Sequence, residues 1–348
     1  MKHFVGLDIS VKTTSLCIVD LEGHIVQERK LATDPDVISA HLVATGLHIE
    51  RIGLEAGAMS QYLYSGLAKA DLPVVCVETR HMKKVLSAQL NKTDRHDARG
   101  IAQMMRVGLY RPVHVKSAGS QRLRTVLVAR QLLRAKLLDV DNELRGLLRN
   151  FGLVVGKVTA REFESRVREL ADGDVALMAV IEPLLVVRRV LGEQFSALDD
   201  MVVRIARRDE VCRRLMTVPG VGPLVSLTFR AGVDVPARFA RSRTVGAHFG
   251  MTPRKHQSGE TDRMGRISKW GDALVRTALF EAAQVLLTRV KRWCRLKAWA
   301  MQVARRRGHK KAIVALARRL GALMHRIWVD GSEFRWDVPR STAEAPAS

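Results

Sequence analysis

The sequence predicts an α/β unit at the N-terminus and a mainly helical remainder. Up to about residue 118, short apolar strand patterns alternate with segments that have helical spacing. The middle of the chain instead carries two long runs with heptad-like spacing, and the last third contains very basic helical segments. Strands that alternate with helices are typical of a mostly parallel sheet with helices packed on it.

The N-terminal elements follow from local patterns. The segment FVGLDIS is apolar up to its acid, and TTSLCIVDLEGHIVQERKL alternates around Glu22-Gly23, where a hairpin turn would fall. The next elements are predicted, in chain order, as a helix at about 35–46, a strand at 49–57, a helix at 60–72, a strand at 73–78 and a helix that carries Asp94 and Asp97.

Two segments in the middle of the chain show the spacing of three and four residues that a heptad seam requires. The first runs through Val126, Leu133, Leu137, Val140, Leu144, Leu147 and Phe151, and the second through Val187, Leu191, Leu198, Met201 and Ile205. The pattern predicts two long amphipathic helices. They could form a helical hairpin or a dimerising coiled coil, or they could simply pack within one chain, and the sequence leaves these options open.

The chain changes character again from about residue 211. The run Pro219-Gly220-Val221-Gly222 lies between two apolar helical segments and resembles a helix-hairpin-helix element, whose glycine-rich turn brings backbone N–H groups close to DNA phosphates. Any tight turn between helices can look similar. The first half of residues 241–283 is rich in glycine and polar residues and predicts loops, and the last part, from Asp272, predicts a helix. Residues 284–326 predict helices with 13 Lys or Arg and no acid. The terminal STAEAPAS predicts disorder.

Charge and length narrow the classes of partner. The chain has 348 residues, enough for two or three cores, and a formal net charge of +23 with a pI near 10.7. Such an excess of positive charge indicates an anionic partner, and a phosphate backbone is the obvious one. No apolar run approaches the roughly 20 residues that span a bilayer. The N-terminal MKHFVGLDIS shows no signal-peptide pattern, so we expect no membrane partner.

The cysteine and aromatic content excludes further classes. Cys17, Cys76, Cys212 and Cys294 are scattered without a CxxC pair. Neither a thiolate zinc site nor a disulfide framework is expected, and the thiols are predicted to be reduced and buried in a cytosolic protein. Aromatic residues make up 5% of the chain, which disfavours base stacking on an aromatic sheet.

Four acids occupy the ends of predicted elements. Asp8 ends the first strand, Glu55 ends a later strand, and Asp94 and Asp97 lie three positions apart on one helix face. Sites of open α/β sheets gather at the carboxyl ends of strands. Four carboxylates there would hold Mg²⁺, often as two ions that clamp the oxygens of a phosphodiester. Each acid alone could equally cap a turn or a helix.

Basic residues surround the helical acids. We expect them to face the nucleic-acid backbone: Lys92, Arg95, His96 and Arg99.

A serine near the C-terminus is a second candidate. Ser258 precedes Gly259 in a predicted loop with many cationic neighbours, namely Arg254, Lys255, His256, Arg263 and Arg266. A hydroxyl can attack a phosphodiester if its proton is removed and cations stabilise the developing charge. Ser258 could instead touch a phosphate or solvent. Ser268 is the competing hydroxyl, although ISKWGDALVR predicts a helix entry capped by Ser268 or Asp272.

Taken together, these motifs resemble one known family. The segments GLDIS, GLEAG, KTDRHDARGIA, VPGVGP, GMTPRKHQSG, GRISKWGDALVRTALFEAA and KKAIVALAR occur in the order found in the DEDD transposases of the insertion-sequence-110 family. The resemblance extends from Asp8 to about Arg326. One departure is Asp272, where relatives commonly have Asn.

The resemblance implies a domain plan and a fold. It implies a RuvC-like (RNase H-type) catalytic domain at 1–118, a coiled-coil or helical linker region at 119–210, a C-terminal transposase domain at 211–330 and a tail at 331–348.

It also implies the chemistry. The family's four acids would fall on Asp8, Glu55, Asp94 and Asp97 and bind Mg²⁺, and its nucleophilic serine would fall on Ser258 and form a 5′-phosphoserine link to DNA. A structured guide (bridge) RNA would direct the protein to double-stranded donor and target DNA, with base pairing reading the sequence. Dimers would assemble to a tetramer, with serine and acids from different subunits in one site. The protein would be bacterial, cytoplasmic and nucleoid-associated.

Three functions remain to be separated. A serine recombinase conserves bond energy and needs no ATP, which agrees with the absence of a GxxxxGK[ST] loop from the sequence. The alternative is a metal-dependent junction-resolving endonuclease in which the four acids activate water. A non-catalytic nucleic-acid-binding protein is the least favoured, because unneeded carboxylates would weaken its binding to a polyanion.

Overall fold

The computed structural model describes residues 1–80, 82 and 93–336, and the chain divides into two compact units, Met1–Lys116 and Ser117–Ser348. The expectations for Lys92 and for the STAEAPAS tail lie outside the described residues. A further division of the second unit near residue 210 stays a prediction. Within the described ranges, no helix is both long and apolar enough to cross a membrane.

The first unit is built on a five-stranded sheet in the order β3-β2-β1-β4-β5. Its strands are β1 (Lys2–Ile9), β2 (Thr13–Val19), β3 (Ile25–Ala32), β4 (His48–Glu55) and β5 (Val74–Val77). β1 pairs with β4, and β4 with β5, in parallel, whereas the two pairings of β2 are antiparallel. The expectation of a mostly parallel sheet is therefore wrong for half of the pairings, because the short turns between the first three strands allow only hairpins.

The predicted hairpin turn at Glu22-Gly23 is confirmed. Gly23 has a φ of +94°, which glycine adopts without strain. Asp20 Oδ1 accepts hydrogen bonds from the backbone N–H groups of Gly23 and His24, at 2.7 and 2.8 Å. The turn therefore holds β2 and β3 in register.

Helices cover both faces of this sheet. The helices are α1 (Pro35–Ala44), α2 (Ser60–Lys69) and α3 (Asp94–Val107). Val5 and Leu7 of β1 face α1 and α2, whereas Phe4 faces α3, as the period of two along a strand requires. The predicted helices and strands of this unit are confirmed, with ends that differ by a few residues.

The second unit begins with two long helices. They are α4 (Ala118–Arg149) and α6 (Val175–Arg208), and the short α5 (Phe163–Ala171) lies between them in sequence. Arg130 pairs with Asp199, and Arg188 with Asp141, so the two helices run antiparallel within one chain. The predicted heptad segments are therefore helical, apart from Phe151, which lies beyond the end of α4 and is exposed. The two helices pack on each other. A contact between copies through these helices stays a prediction.

The rest of the second unit is a helical core with one β-hairpin. Its elements are α7 (Glu210–Leu215), α8 (Pro223–Val233), α9 (Val245–His248), β6 (Pro253–Ser258), β7 (Thr261–Ile267), α10 (Ala273–Thr288), α11 (Arg295–Arg307) and α12 (His309–Asp330). Two short 3₁₀ turns occupy residues 236–238 and 242–244. Leu279, Leu286, Leu316 and Leu320, from α10 and α12, are fully buried at the centre of this core.

The expectation of loops in the first half of residues 241–283 is wrong for α9 and for the β6–β7 hairpin, which begins at Pro253. Both strands are exposed almost throughout. A strand without a buried face has no need for alternating apolar residues, so it gives no sequence signal.

The glycine-rich turn between α7 and α8 packs inside the unit. Gly220 has a φ of +86°, and a Cβ there would lie 2.5 Å from the carbonyl oxygen of Ala282 in α10. The prediction that a glycine-rich turn joins two helices at this point is confirmed. Close helix packing alone explains Gly220, and contact of this turn with DNA stays a prediction.

Candidate active site

Asp8 and Glu55 end neighbouring parallel strands. The register pairs Gly6 with Gly53 and Leu7 with Leu54, so the acids are the next residues along β1 and β4. Because side chains alternate along a strand, each acid lies on the same face as the glycine two positions before it. Adjacent strands are about 4.8 Å apart. The two carboxylates therefore leave the sheet side by side.

The two glycines explain how α3 reaches this face. A Cβ at Gly6 would overlap the carbonyl oxygen of Ala98, and a Cβ at Gly53 would lie 2.6 Å from Cγ of Met105. α3 therefore lies directly on β1 and β4. The segments GLDIS and GLEAG thus combine a glycine that admits the helix with an acid that follows it.

The direction of α3 places its first turn at the strand ends. Ala98 lies over Gly6, while the carbonyl of Met105 accepts a hydrogen bond of 2.7 Å from Arg51, which precedes Gly53 on β4. The helix thus runs antiparallel to β1 and β4. Its first turn, which contains Asp94 and Asp97, points towards the carboxyl ends of the strands.

The structure therefore brings all four predicted acids to one edge of the sheet. Asp94 is exposed, and Asp8, Glu55 and Asp97 are half-buried. Thr93 caps α3 by accepting a hydrogen bond of 3.2 Å from the N–H of His96, so Asp94 is not the cap. In the described part of the chain, no three His, Cys, Asp or Glu side chains are close enough together to hold a metal ion. Metal ligation by the four acids thus remains a proposal.

Glu28 is a site residue that the sequence did not indicate. Gly6, Cys17 and Glu28 form one row across β1, β2 and β3, which places Glu28 on the face covered by α3. There it accepts hydrogen bonds from Arg99 and Arg95, at 2.9 and 2.6 Å. The bond from Arg99 is the main cause that lowers the pKa of Glu28 to about 2.

These ion pairs change the interpretation of the arginines. Arg95 and Arg99 were expected to face nucleic acid, but both guanidinium groups are bound to Glu28 on β3. The side chain of Arg99 is only 32% exposed, whereas that of Arg95 is 68% exposed. Arg99 thus anchors α3 to the sheet. Of the two arginines, only Arg95 also has a largely exposed side chain.

A cleft of about 530 Å³ opens beside the acids. Its lining includes Ser15, Glu28, Lys30 and Asp94. Asp8, Ser15 and Lys30 form the next row across the three strands, so the floor of the cleft adjoins Asp8. The lining of the cleft therefore combines two carboxylates, Glu28 and Asp94, with the cation of Lys30.

Ser258 lies in the second unit, at the end of the exposed β6–β7 hairpin. It pairs with Thr261 across a two-residue turn of Gly259 and Glu260, and Gly259 has a φ of +52°. A glycine in this conformation suits the first central position of a tight hairpin turn. Lys255 forms a 3.3 Å ion pair with Asp262 on the opposite strand. The turn thus presents the Ser258 hydroxyl to solvent.

The competing hydroxyl has a structural role at the base of the hairpin. Ser268 Oγ accepts a long hydrogen bond of 3.5 Å from the N–H of Trp270, and its backbone N–H bonds the carbonyl of Thr252. Asp272, rather than Ser268, caps α10 by accepting from the N–H of Leu274 at 2.9 Å. The side chain of His256 lies outside what the structure describes.

The four cysteines are buried, as predicted. Cys17, Cys76, Cys212 and Cys294 are free and buried. Burial raises the pKa of Cys17 and Cys76 to about 11 and that of Cys212 to about 12. These three thiols are therefore protonated at neutral pH, and none is a poised nucleophile.

Two family models match the chain. The DEDD transposase model of IS110, described as "Transposase", matches residues 5–152. A second model, "Transposase IS116/IS110/IS902 family", matches residues 212–298. The first match contains all four acids, and the second contains Ser258.

Curated relatives agree over most of the chain. The transposase for insertion sequence element IS1111A of Coxiella burnetii is 30% identical over 320 residues, which cover 90% of this chain and 86% of the relative. A probable family 20 transposase of Pseudomonas aeruginosa is 28% identical over 329 residues, or 90% and 93% of the two chains. The IS1328 transposase of Yersinia enterocolitica is 23% identical over 263 residues, or 73% and 79%.

The mixed α/β unit and these matches define a DNA transposase that acts on an insertion sequence. Both the acid-bearing and the serine-bearing segments fall within matched regions. The chain belongs to the IS110 family of transposases.

Proposed function

We propose that this transposase cuts and rejoins DNA through a Mg²⁺-dependent step in which Ser258 becomes covalently linked to a 5′ phosphate. The placement of all four acids at one sheet edge supports the proposal more than any other observation. The strand order β3-β2-β1-β4-β5, with acids at the ends of β1 and β4, supports a RuvC-like (RNase H-type) fold.

The donor set fits magnesium. Asp8, Glu55, Asp94 and Asp97 offer only carboxylate oxygens, which are the ligands Mg²⁺ prefers. A bound ion would supply charge stabilisation for phosphate oxygens. The chain's own part is to hold the acids on rigid elements: two adjacent strand ends and the first turn of a helix locked on them by Gly6 and Gly53.

The serine step exchanges one phosphoester for another. Ser258 Oγ forms a bond to phosphorus, the bond from phosphorus to the 3′ oxygen breaks, and the hydroxyl proton is passed on so that the leaving strand ends in a 3′ hydroxyl. Rejoining reverses these steps with a different 3′ hydroxyl. Arg263 pairs with His256 in the register and so lies on the same hairpin face as Ser258, where its charge would offset that of the phosphate.

The hairpin position also bears on assembly. Ser258 is exposed at a turn, and the acids belong to a different compact unit. We propose that acids and serine from different subunits complete one site, in a dimer that pairs to a tetramer. The 13 Lys or Arg of residues 284–326 support binding of double-stranded donor and target DNA and of a structured guide RNA.

The test is a covalent adduct on a denaturing gel. The full chain is incubated with Mg²⁺, its co-purified RNA and end-labelled DNA that contains the insertion-sequence end. We expect a labelled protein–DNA adduct that is lost in Ser258→Ala and kept in the matched control Ser268→Ala. Full strand cleavage by Ser258→Ala without an adduct would instead support the junction-resolving endonuclease, in which water is the nucleophile.

The acids are tested in the same assay. Asp8→Asn, Glu55→Gln, Asp94→Asn and Asp97→Asn should each abolish strand cleavage, while the control Asp36→Asn in α1 should retain it. Binding to DNA without Mg²⁺ should persist in all four variants, because each removes a negative charge from a basic protein. Retained cleavage in these variants would overturn the metal assignment. Sequencing of the co-purified RNA tests the guide.

A further inference from the structure

A large cleft lies against the base of the serine hairpin. Its volume is about 850 Å³, and it is enclosed by residues of β7, α11 and α12 together with Arg243, Met251 and Pro253. This volume is in the range of sites that enclose an organic ligand. Met264 to Ile267 of β7, which line the cleft, belong to the same hairpin that presents Ser258.

The lining of this cleft combines positive charge with an apolar floor. Seven of its side chains are Lys or Arg, and none of the described lining residues is acidic. Trp299, Val303 and Val314 contribute to the floor. A phosphate group alone would not contact the apolar floor. An apolar ligand alone would leave the seven cations without anionic partners.

One ligand class matches both properties. An unpaired nucleotide has an anionic phosphate and a flat, weakly polar base, whereas a duplex hides its base faces by stacking. The guanidinium of Arg319 lies 4.6 Å from the ring centroid of Trp299, and such planar groups stack bases. Arg318, the next residue, lies with its aliphatic chain against Gly246, where a Cβ would be 2.6 Å from Cγ.

A second cleft continues the path. It measures about 440 Å³ and shares Arg319 and Ala322 with the first. Its lining adds Arg295, Arg326 and Phe334. A strand that leaves the first cleft over Arg319 thus enters another basic cleft that contains an aromatic ring, so the path accommodates more than one nucleotide.

We infer that these joined clefts bind unpaired nucleotides of the DNA strand on which Ser258 acts. This inference rests on the proposed function, because the choice of DNA follows from the shared hairpin. The Pro253–Ile267 pair at the hairpin base is five residues from Ser258, or roughly 17 Å at the rise of an antiparallel strand. The bound nucleotides thus lie several positions from the attacked phosphate.

The test compares three labelled probes by fluorescence anisotropy, with the full chain in EDTA so that no metal-dependent cleavage occurs. The probes are a DNA single strand, its duplex and an RNA strand of equal sequence. Trp299→Ala should weaken binding of the DNA strand about ten-fold, the loss of one base–aromatic stack, and change duplex binding less than two-fold. The matched control Trp293→Ala removes an exposed tryptophan outside the cleft and should change neither.

Substitutions that preserve packing separate binding from folding. If Trp299→Ala lowers stability, Trp299→Phe should bind the DNA strand like the wild type, and Trp299→Leu should not. Equal losses for strand and duplex, unchanged strand binding, or a larger loss for RNA than for DNA would overturn the inference. If Trp299→Ala changes the oligomeric mass of the DNA-free protein but leaves strand binding unchanged, the cleft is instead an interface between copies of the chain. The covalent serine adduct is measured in a separate assay. Failure of the nucleotide-binding inference and failure of the proposed serine chemistry can therefore be distinguished.

Discussion

Gly6 of β1 lies directly beneath the backbone carbonyl of Ala98 in α3. No side chain fits between them, so the absence of a Cβ decides how closely the helix approaches the sheet. The approach matters because Asp8 lies two residues after Gly6, while Asp97 immediately precedes Ala98. This one contact thus connects two of the four acids through rigid backbone.

The first prediction concerns this contact. Gly6→Ala should destabilise the first unit by about 3 kcal/mol, because the added methyl meets backbone that has no room to move. Gly53→Ala should cost less, about 1 kcal/mol, since the atoms it meets are side-chain atoms of Met105 and Ile101 rather than backbone. Hydrogen exchange of peptides from β1 and β4 measures both.

Two controls accompany this series. Gly57→Ala should change stability by less than about 0.5 kcal/mol, because its nearest neighbour would be an oxygen at 3.9 Å. Tryptophan emission reports the second unit alone, since all five tryptophans lie after residue 116, and it should stay constant. Equal destabilisation by all three substitutions would contradict the role given to Gly6.

The second prediction concerns Glu28. Glu28→Gln should lower stability at pH 7 by about 1–2 kcal/mol, because it removes the charge that Arg99 and Arg95 hold. The folded pKa of about 2 is below the usual value of 4.5. The stabilisation by the carboxylate is therefore fully present above about pH 4.5 and is lost as the pH falls towards 2.

Calorimetry at a series of pH values checks this sign. The difference between wild type and Glu28→Gln should shrink between pH 4.5 and 2, and Glu22→Gln, at the exposed turn of the same hairpin, should show no such difference. A gap that widens in acid would exclude the ion pairs as its origin.

The candidate acids and the candidate serine could be proposed from the sequence, whereas the residues that hold them in place could not. A motif such as GLDIS shows a strand that ends in an acid, and this is a local pattern. Glu28 acts through a row of cross-strand neighbours, Gly6 and Cys17, which exists only once the sheet is paired. The hairpin that carries Ser258 has no buried face and therefore no periodic signal. Periodic sequence patterns arise from burial of one face of an element. They therefore do not predict exposed strands or polar pairs between residues far apart in the sequence.

The third prediction concerns Asp272, which performs two tasks. It caps α10 and forms an ion pair with Arg124 of α4. Asp272→Ala should cost about 1–2 kcal/mol, since it removes both the cap and the charge. Asp272→Asn should cost about 1 kcal/mol less, because the amide oxygen still accepts from the N–H of Leu274.

Urea unfolding followed by tryptophan emission measures these costs. Arg124→Met should lower the free energy of unfolding strongly in the wild type and only slightly in an Asp272→Asn background. This is the result that a double-mutant cycle gives for a direct pair. Additive losses would show that the two residues act independently.

The last prediction concerns Arg188, a buried cation in the helix pair. It donates to Asp141 at 2.6 Å, to Glu164 at 3.0 Å and to the carbonyl of Ala160 at 3.2 Å. Its guanidinium also lies 4.5 Å from the ring centroid of Phe163. One side chain thus joins α4, α5 and α6.

Arg188→Met should destabilise this end of the pair by about 3 kcal/mol, because two half-buried carboxylates lose their cation. Arg189→Met, the exposed neighbour, should change stability by less than about 0.5 kcal/mol. Hydrogen exchange of α5 peptides is the direct measurement, since α5 is held to the pair partly through this residue. A triple variant adds Asp141→Asn and Glu164→Gln to Arg188→Met. If it regains the exchange protection of α5, unpaired charge rather than lost packing causes the destabilisation. No restoration would assign the loss to the stacking on Phe163 and to the bond with Ala160.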